Sequence, residues 1–287
     1  MRRCPACEFA SARAFGEKNG QAVSLCARCG TLFSDAIAPS AELYDDYYAH
    51  NDVPDFMSAR LDQIVSRFGA YRKLNRLLDV GFGAGSILDA GQRAGWEVHG
   101  VEVSGRAVED VKKRHPNVLQ ATLADAKYPG GHFDVVVASE LIEHLDDPFH
   151  FATEVLRLLR PGGLLWATTP HGRGLAARVL GTQWTVISPS DHLQLFSVSG
   201  AHTLFARAGF RRTHIDTHGA DPIEMARAIR GKFRRSQPAE PFNRVESLQP
   251  LNRVFVQTRS GSAAKTVINT MLNLARLGDS LKIFAET

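Results

Sequence analysis

The sequence predicts an α/β fold with a doubly wound, mostly parallel sheet, preceded by a small cysteine-containing module. Short apolar runs alternate with segments of helical periodicity from about residue 57 to 216. One of these runs, at 77–80, leads directly into a glycine-rich turn at 81–85. The four cysteines form two Cys-x-x-Cys pairs near the start of the chain.

Composition places the chain among globular proteins. It has 287 residues, of which 44% are hydrophobic, and a formal net charge of +4. We expect one large domain with a small appendage, or two domains. No apolar run reaches the length of a membrane span, and residues 1–5 form no apolar signal segment, so we expect a cytoplasmic protein. The modest charge permits anionic ligands without requiring nucleic acid.

The cysteine pairs predict a structural zinc ribbon over residues 1–35. Cys4 and Cys7 form one pair, and Cys26 and Cys29 form the other. Two such pairs at this separation are typical of a tetrahedral zinc site, and a redox pair is the main alternative. Because cysteine fills all four positions, no position remains for a catalytic water.

The following elements are predicted in order along the chain. Residues 36–75 are a linker and helical cap, in which Tyr44, Tyr47 and Tyr48 either pack on the core or line a pocket. Strands and helices then alternate, which implies a sheet covered on both faces. The predicted strands are 77–80, 96–101, 118–123, 133–138, 164–168, 210–216 and 281–285, and the predicted helices are 57–68, 86–94, 103–114, 149–159, 199–208 and 263–276.

The segment 219–278 interrupts this alternation and is predicted to be an inserted helical cap before the last strand. The core would therefore comprise residues 76–218 together with 279–287. The insertion contains a basic run that either binds an anionic group or forms a solvated helix face: Arg227, Arg230, Lys232, Arg234 and Arg235.

The glycine turn predicts a nucleotide-like ligand at the carboxyl end of the first strand. Its pattern, Gly81-x-Gly83-x-Gly85, differs from the dinucleotide fingerprint, because Ser86 stands where the third glycine would be. Asp79 would repel a pyrophosphate but attract an ammonium or sulfonium charge. Glu102, at the end of the second strand, is placed to bind ribose hydroxyls. These residues favour S-adenosylmethionine over NAD.

The chain resembles class I S-adenosylmethionine-dependent methyltransferases over about residues 76–216. The residues that carry this resemblance are Asp79 to Gly85, Glu102, Asp125, Ala126 and the run 133–140. The resemblance implies a seven-stranded Rossmann-like sheet whose last strand is antiparallel. It also implies that Asp79, the glycines and Ser139 hold the methionine part, that Glu102 binds the ribose, and that Asp125 and Ala126 meet the adenine. Phe82 replaces a smaller family residue and is expected to narrow the pocket.

The segment after the fourth strand is predicted to face the methyl acceptor. If it is helical, Glu140, Glu143 and His144 share one face, and His192 lies in a later loop. Two carboxylates and imidazoles suit Mg²⁺ or another divalent metal, which would lower the pKa of an acceptor hydroxyl. Without metal, His144 or His192 would act as general base, with Glu143 beside it. An ion pair that caps the next helix is the structural alternative. Trp184 is a candidate pocket wall.

This set resembles two methyltransferase groups. Ubiquinone-biosynthesis O-methyltransferases carry a similar Glu-His pair. Small-RNA 2′-O-methyltransferases bind a divalent metal through a Glu-x-x-Glu-His motif and a later histidine, which Glu140, Glu143, His144 and His192 match in order. A zinc ribbon followed by a tyrosine-rich segment also resembles a bacterial subgroup that acts on sugars or secondary metabolites.

We therefore expect methyl transfer to a hydroxyl of a small molecule or glycan precursor. Carbon methylation of a nucleotide-linked sugar and metal-dependent RNA 2′-O-methylation are the alternatives within this class. The chain lacks a long basic and aromatic surface pattern, which argues against RNA. A module that docks a partner without catalysis and an NAD-dependent dehydrogenase are the alternatives from other classes.

Overall fold

The computed structural model describes residues 2–37, 58–220, 222, 224–226 and 259–287. Within these ranges a seven-stranded sheet forms the centre of the molecule. Its strands are β4 (Arg76–Val80), β5 (Glu97–Glu102), β6 (Val118–Gln120), β7 (Phe133–Ser139), β8 (Leu159–Pro170), β10 (Arg212–His218) and β11 (Ser280–Glu286). The predicted α/β doubly wound fold is confirmed.

The order of strands in this sheet is β10-β11-β8-β7-β4-β5-β6. Strands β8, β7, β4, β5 and β6 run parallel to one another, whereas β11 is antiparallel to both β8 and β10. Strands β5 and β6 are added on one side of β4, and β7 and β8 on the other side. The order of strands therefore reverses beside β4, which is the topological switch point of the sheet. Ligands of open α/β sheets bind at this kind of position.

Helices cover both faces of the sheet, and three of them begin at a side-chain cap: Ser104, Asp147 and Ser197. The helices are α1 (Ser58–Arg67), α2 (Ser86–Arg93), α3 (Gly105–Lys112), α4 (Pro148–Leu158), α5 (Leu175–Leu180), α6 (Val198–Ala208) and α7 (Arg259–Leu274). The Ser104 hydroxyl accepts a hydrogen bond from the Ala107 amide at the start of α3. Asp147 caps α4, and Pro148 occupies its first turn, where no amide donor is needed.

Strand β8 is longer than predicted. The segment 160–163, expected to close the preceding helix, lies within β8, which begins at Leu159. Its pairing with β7 shifts between Phe133 and Val135, so the Pro-Gly-Gly sequence is accommodated as an irregularity inside the strand. The buried Asp134 of β7 stabilises this region, because its carboxylate lies 2.6 Å from Nε of Arg160.

The ribbon forms a second, four-stranded sheet with a strand from far along the chain. Strands β1 (Ala12–Lys18), β2 (Gln21–Cys26) and β3 (Leu32–Phe33) are antiparallel, and β3 pairs with β9 (Gln194–Leu195). Sequence analysis did not predict β9. Two residues are too few to show a period of two, and their partner lies roughly 160 residues away.

Two apolar clusters pack against the two faces of the central sheet, and a third joins the ribbon to the core. The third contains Trp184, which is 0% exposed, together with Val23 and Leu32 of the ribbon. Trp184 therefore packs in the interior, and the prediction that it lines an acceptor pocket is wrong. Among the described residues no helix is both long and apolar enough to cross a bilayer.

Candidate active site

The turn after β4 has the backbone geometry that only glycine adopts freely. Gly81, Gly83 and Gly85 all have positive φ, at 70°, 48° and 77°. The turn ends at Gly85, which directly precedes α2 and serves as its cap. The amide of Gly81 donates to the carbonyl of Val101, and that of Gly85 donates to the carbonyl of Phe82. The strand, turn and helix predicted from the sequence thus follow one another directly, with β4 ending at Val80 and α2 beginning at Ser86.

Glu102 fixes this turn against the start of α3. Its Oε2 accepts from the amide of Gly83 at 3.0 Å, and its Oε1 accepts from the amides of Val103 and Ser104 at 2.8 and 3.1 Å. A carboxylate offers about four lone-pair sites, two on each oxygen, so Oε1 is fully engaged and Oε2 retains one further site. Glu102 therefore orders the turn and is placed to accept from a hydroxyl.

Asp79 lies beneath the turn and is 2% exposed. Burial, and secondly the charge of Glu102, raise the pKa of Asp79 well above its usual range. A cation placed beside this carboxyl would restore its ionised form, because an opposite charge favours the charged state. The buried acid is thus suited to a positively charged ligand group.

The remaining predicted cofactor residues follow the neighbouring strands. The Asp125 carboxylate accepts from the hydroxyl of Thr122 at 2.6 Å, and the amide of Ala126 donates to the carbonyl of Thr122. That amide is already engaged, so Ala126 has its carbonyl and methyl left for a ligand. Ser139 ends β7, and its hydroxyl lies 2.9 Å from that of Thr168.

Phe82 does not narrow the crevice. Its ring is 5% exposed and packs against β5, where a Cβ atom at Gly100 would lie 2.6 Å from Cδ1 of Phe82. The expectation that Phe82 narrows the cofactor pocket is therefore wrong. It anchors the glycine turn in the core instead.

A second group of polar side chains lies beyond the end of β7. One carboxylate oxygen of Glu143 and one ring nitrogen each of His144 and His192 lie within 4.8 Å of one another. Glu143 is 0% exposed, and neither of its oxygens has a hydrogen-bond partner among the described residues. The rings of His144 and His192 are 4.8 Å apart. The structure thus brings together three of the four residues predicted to act on the acceptor.

Hydrogen bonds set the tautomers of both histidines. Nδ1 of His192 lies 2.6 Å from the carbonyl of Val186, and Nδ1 of His144 lies 3.0 Å from the carbonyl of Asp191. A carbonyl oxygen only accepts, so both Nδ1 atoms carry the proton. In the neutral rings each Nε2 therefore presents a lone pair. Such nitrogens serve equally as metal ligands or as proton acceptors.

Asp191 contacts both histidines and was not predicted. Its carboxylate lies 3.2 Å from Nδ1 of His144 and 3.6 Å from Nε2 of His192. Burial alone lowers the pKa of His144, but the hydrogen bond to Asp191 and the charge of Glu143 outweigh it, so the pKa is raised. Asp191 directly precedes His192 in the sequence, and this adjacency was the one feature from which its role could have been predicted.

Burial raises the pKa of Glu143 to about 8, and the charge of Glu140 adds to this effect. The hydroxyl of Thr169, on β8, lies close enough to lower the pKa of Glu143 slightly, although the two groups do not meet the geometry of a hydrogen bond. A buried carboxylate with no direct donor is costly unless a cation or proton neutralises it. Glu143 therefore has the environment of a group that holds a proton or a cation.

The segment that carries these residues is a turn, and the expectation that it is helical is wrong. Glu140 has φ 50°, in the left-handed region, which breaks the helical path immediately after β7. Glu140 is consequently exposed and lies outside the group formed by Glu143, His144 and His192. Its contribution to that group is electrostatic.

The four cysteines form one buried cluster, as predicted. Their sulfur atoms lie within 4.8 Å of one another, with Cys4 Sγ 3.6 Å from Cys29 Sγ and Cys7 Sγ 3.5 Å from Cys26 Sγ. Tetrahedral zinc with bonds of about 2.3 Å sets sulfur atoms about 3.8 Å apart. The contact with Cys4 lowers the pKa of Cys29 to about 5, which favours a thiolate. The residues present therefore fit a metal ion.

Two predicted features lie outside the described residues. They are the tyrosines of the linker, Tyr44, Tyr47 and Tyr48, and the basic run from Arg227 to Arg235.

Comparison with known families decides the class of protein. Residues 54–215, more than half of the chain, match a family described as a methyltransferase domain. The chain belongs to this methyltransferase family. It is an S-adenosylmethionine-dependent methyltransferase, and this result sets aside the dehydrogenase and the non-catalytic module as alternatives.

Relatives of this methyltransferase include two bacterial proteins. A ubiquinone biosynthesis O-methyltransferase of Cereibacter sphaeroides is 30% identical over 168 residues, which cover 52% of this chain and 68% of that protein. A probable S-adenosylmethionine-dependent methyltransferase of Mycobacterium tuberculosis is 33% identical over 122 residues, which cover 42% of this chain and 44% of that protein.

Solved structures confirm the fold of the methyltransferase. An S-adenosylmethionine-dependent methyltransferase from Archaeoglobus fulgidus superposes with a TM-score of 0.54 at 17% identity, covering 87% of this chain and all of that one. The Rossmann-like sheet predicted from the resemblance is thereby confirmed.

Proposed function

We propose that this methyltransferase transfers a methyl group to a hydroxyl of a small molecule or glycan precursor. The observation that carries the proposal is the grouping of Glu143 with one ring nitrogen each of His144 and His192. The group follows β7, whose carboxyl end lies beside that of β4 and its glycine turn. Leu141 joins the two, since its Cδ1 would lie 3.1 Å from a Cβ atom at Gly81.

The methyl donor binds, in this proposal, at the carboxyl ends of β4, β5 and β7. Asp79 pairs with the positive charge of the methionine part, and the turn with Gly81, Gly83 and Gly85 allows close approach of the backbone. Ser139 lies at the same edge. Glu102 accepts from the ribose hydroxyls, and Asp125 and Ala126 contact the adenine. S-adenosylmethionine supplies an already activated methyl group, so the protein chiefly aligns the reactants and accepts a proton.

His144 and His192 act on the acceptor hydroxyl in one of two ways. Without metal, the Nε2 lone pair of either histidine takes the hydroxyl proton, and Asp191 stabilises the resulting imidazolium. With metal, Glu143 and the two Nε2 atoms hold Mg²⁺ or another divalent ion, which supplies Lewis-acid chemistry at the acceptor oxygen. The carboxylate of Glu143, which has no hydrogen-bond partner among the described residues, supports the mechanism with metal.

Oxygen is favoured as the methylated atom by one of the relatives, which is named as an O-methyltransferase of ubiquinone biosynthesis. The exclusion of Glu140 from the group weakens the match to RNA 2′-O-methyltransferases, whose resemblance rested on four ligands. Carbon methylation of a nucleotide-linked sugar remains the second candidate, supported by the ribbon. The buried four-cysteine cluster holds structural zinc in this proposal.

Metabolite profiling of a deletion strain tests the acceptor. We expect one compound to lack a single methyl group bound to oxygen, and the pure enzyme to restore that group from S-adenosylmethionine. Replacing His144 and His192 together by Gln should abolish turnover while leaving donor binding intact. A missing methyl group on carbon would contradict O-methylation. Turnover that survives both the double substitution and chelation of divalent metal would contradict the assigned site.

A further inference from the structure

Gln194 lies at the contact between the ribbon and the turn that carries Glu143 and His144. Its backbone belongs to β9 and pairs with Phe33 of the ribbon. Its side chain is almost completely buried, at 1% exposed. Only Leu193 separates it from His192 in the sequence. One side chain therefore stands between the ribbon and the proposed acceptor site.

The amide nitrogen of Gln194 binds the backbone of that turn. Nε2 lies 2.9 Å from the carbonyl oxygen of Ile142, 3.2 Å from that of Glu143 and 2.8 Å from that of Leu145. An amide NH₂ group has two hydrogens, so three carbonyls share two donors. The side chain of Gln194, which lies outside the turn, thus binds three of the four carbonyls between residues 142 and 145.

The amide oxygen of Gln194 binds the ribbon. Oε1 accepts from Nη2 of Arg2 at 2.6 Å, and the same Nη2 lies 3.3 Å from the carbonyl of Leu193. The backbone amide of Arg2 donates to Asp35, at the other end of the ribbon. Arginine only donates and carbonyls only accept. The partners of Gln194 therefore determine which atom of its amide is the oxygen and which is the nitrogen.

The turn has little backbone support of its own. Among the described residues its carbonyls 141 and 143 accept single backbone bonds, from the amides of His144 and Gln194 at 3.0 and 3.3 Å. Neither a helix nor a strand spans it. The Gln194 side-chain amide consequently contacts three carbonyls of the turn, whereas backbone amides reach two. Small displacements of such groups reduce activity strongly.

We propose that Gln194 is the positioning residue through which the ribbon fixes the turn that bears Glu143 and His144. The inference rests on the proposed function of that turn. In this role Gln194 acts through the backbone of residues 142–145 and not by contact with the donor or the acceptor. It also gives the ribbon a role in the reaction beyond its own fold.

Arg207 provides a matched control. From α6, its Nη1 donates to the ribbon carbonyl of Ala6 at 2.9 Å, and its Nη2 lies 2.5 Å from Glu8. This arginine therefore joins the ribbon to the core as Arg2 does, but without a hydrogen bond to residues 142–145. A role in ribbon attachment alone would make Arg207→Met and Gln194→Met behave alike.

The experiment compares full-length wild type with Gln194→Met, Gln194→Glu, Arg2→Met and Arg207→Met. Hydrogen exchange measures opening of residues 141–146, electron paramagnetic resonance measures Mn²⁺ affinity, and calorimetry measures S-adenosylmethionine affinity. We expect Gln194→Met to exchange about tenfold faster in this turn and to bind Mn²⁺ about tenfold more weakly, as for the loss of one buried hydrogen bond. Gln194→Glu should show a larger effect and Arg2→Met a smaller one. Donor affinity should change less than about twofold.

Arg207→Met should leave both the exchange of the turn and the Mn²⁺ affinity unchanged. Wild-type exchange in Gln194→Met, or an equal acceleration in Arg207→Met, would overturn the inference. Should both Gln194 variants fail to fold, faster exchange confined to the turn in Arg2→Met supports the inference, and wild-type exchange there overturns it. If the wild type binds no Mn²⁺, the metal version of the proposed function fails, whereas the exchange data still decide the role of Gln194.

Discussion

Glu102 has the most heavily engaged carboxylate in the proposed donor site, since it accepts from three backbone amides. Replacing it by Ala removes these bonds and the proposed ribose contact. Hydrogen bonds to a charged group contribute about 1.5–3 kcal/mol, so we expect S-adenosylmethionine to bind about 10–100-fold more weakly. Calorimetry measures this loss. Glu97→Ala, at the exposed start of the same strand, is the control and should bind normally.

The pH dependence of metal binding follows from the buried carboxyl of Glu143. Burial raises its pKa to about 8, so at neutral pH the metal must displace a proton. We expect Mn²⁺ affinity to rise about tenfold from pH 6.5 to 7.5 and to level off above about pH 8. Protonation of His144, whose pKa is also raised, acts in the same direction. Glu143→Gln should reduce this dependence to the part that comes from His144, and constant wild-type affinity from pH 6 to 8.5 would contradict the prediction.

The same two pKa shifts both lower the stability of the metal-free protein as pH rises. The raised pKa of His144 contributes stability that is present below its unfolded value and is lost as pH rises through the folded value. Because Glu143 is buried, the folded protein is more stable when this carboxyl is protonated. Its contribution to the free energy of unfolding therefore falls as pH rises through about 8. Both effects make the metal-free protein less stable at pH 8.5 than at pH 6. Thermal unfolding at the two pH values measures this, and in His144→Gln the difference should shrink.

At the level of single elements, the glycine turn depends on its packing against β5. A methyl group at Gly100 would lie 2.6 Å from the ring of Phe82, which has no space to move in the core. We expect Gly100→Ala to cost about 1–3 kcal/mol of stability and to weaken donor binding, because Phe82 lies inside the turn. Denaturant unfolding and calorimetry measure the two effects. Gly69→Ala, where no atom lies within 4 Å of the added methyl, should have neither effect.

Local sequence patterns predicted the elements whose cause is local. The glycine turn, the caps and the buried strands each follow from residues within one or two turns of chain, and their positions agree with the structure within a few residues. The resemblance to a Glu-x-x-Glu-His motif with a later histidine also predicted that Glu143, His144 and His192 lie together.

Contacts between distant segments were missed for the same reason. Nothing near Gln194 in the sequence shows that it pairs with the ribbon. The conformation of Glu140 could not be read from its neighbours either, because helical spacing at 140–144 is compatible with a turn. The side chain of Phe82 was assigned to the crevice because its partner, Gly100, lies on another strand.

At the scale of the whole molecule, the ribbon is attached to the core by β9, by the cluster around Trp184 and by Arg2 and Arg207. We expect the pure protein to contain one zinc ion per chain. Cys26→Ser should lose it and lower the midpoint of thermal unfolding by several degrees, since structural zinc contributes directly to folding. Elemental analysis and calorimetry measure both quantities.

The donor site should tolerate this change better than the acceptor site. Asp79, the glycines and Glu102 lie on the strands of the central sheet, whereas Glu143 and His144 lie on the turn that Gln194 joins to the ribbon. We therefore expect Cys26→Ser to retain S-adenosylmethionine binding within about threefold and to lose most Mn²⁺ affinity. Equal loss of both affinities would indicate general unfolding instead.

The pairing of β3 with β9 also determines when the molecule can assemble during its synthesis. Leu32 leaves the ribosome roughly 160 residues before its partner Leu195. At about 5–20 residues per second, the ribbon waits ~10–30 s with one sheet edge uncovered. An uncovered edge of this kind readily joins another chain. The nascent ribbon is therefore the part of this protein for which early zinc delivery and chaperone protection matter most.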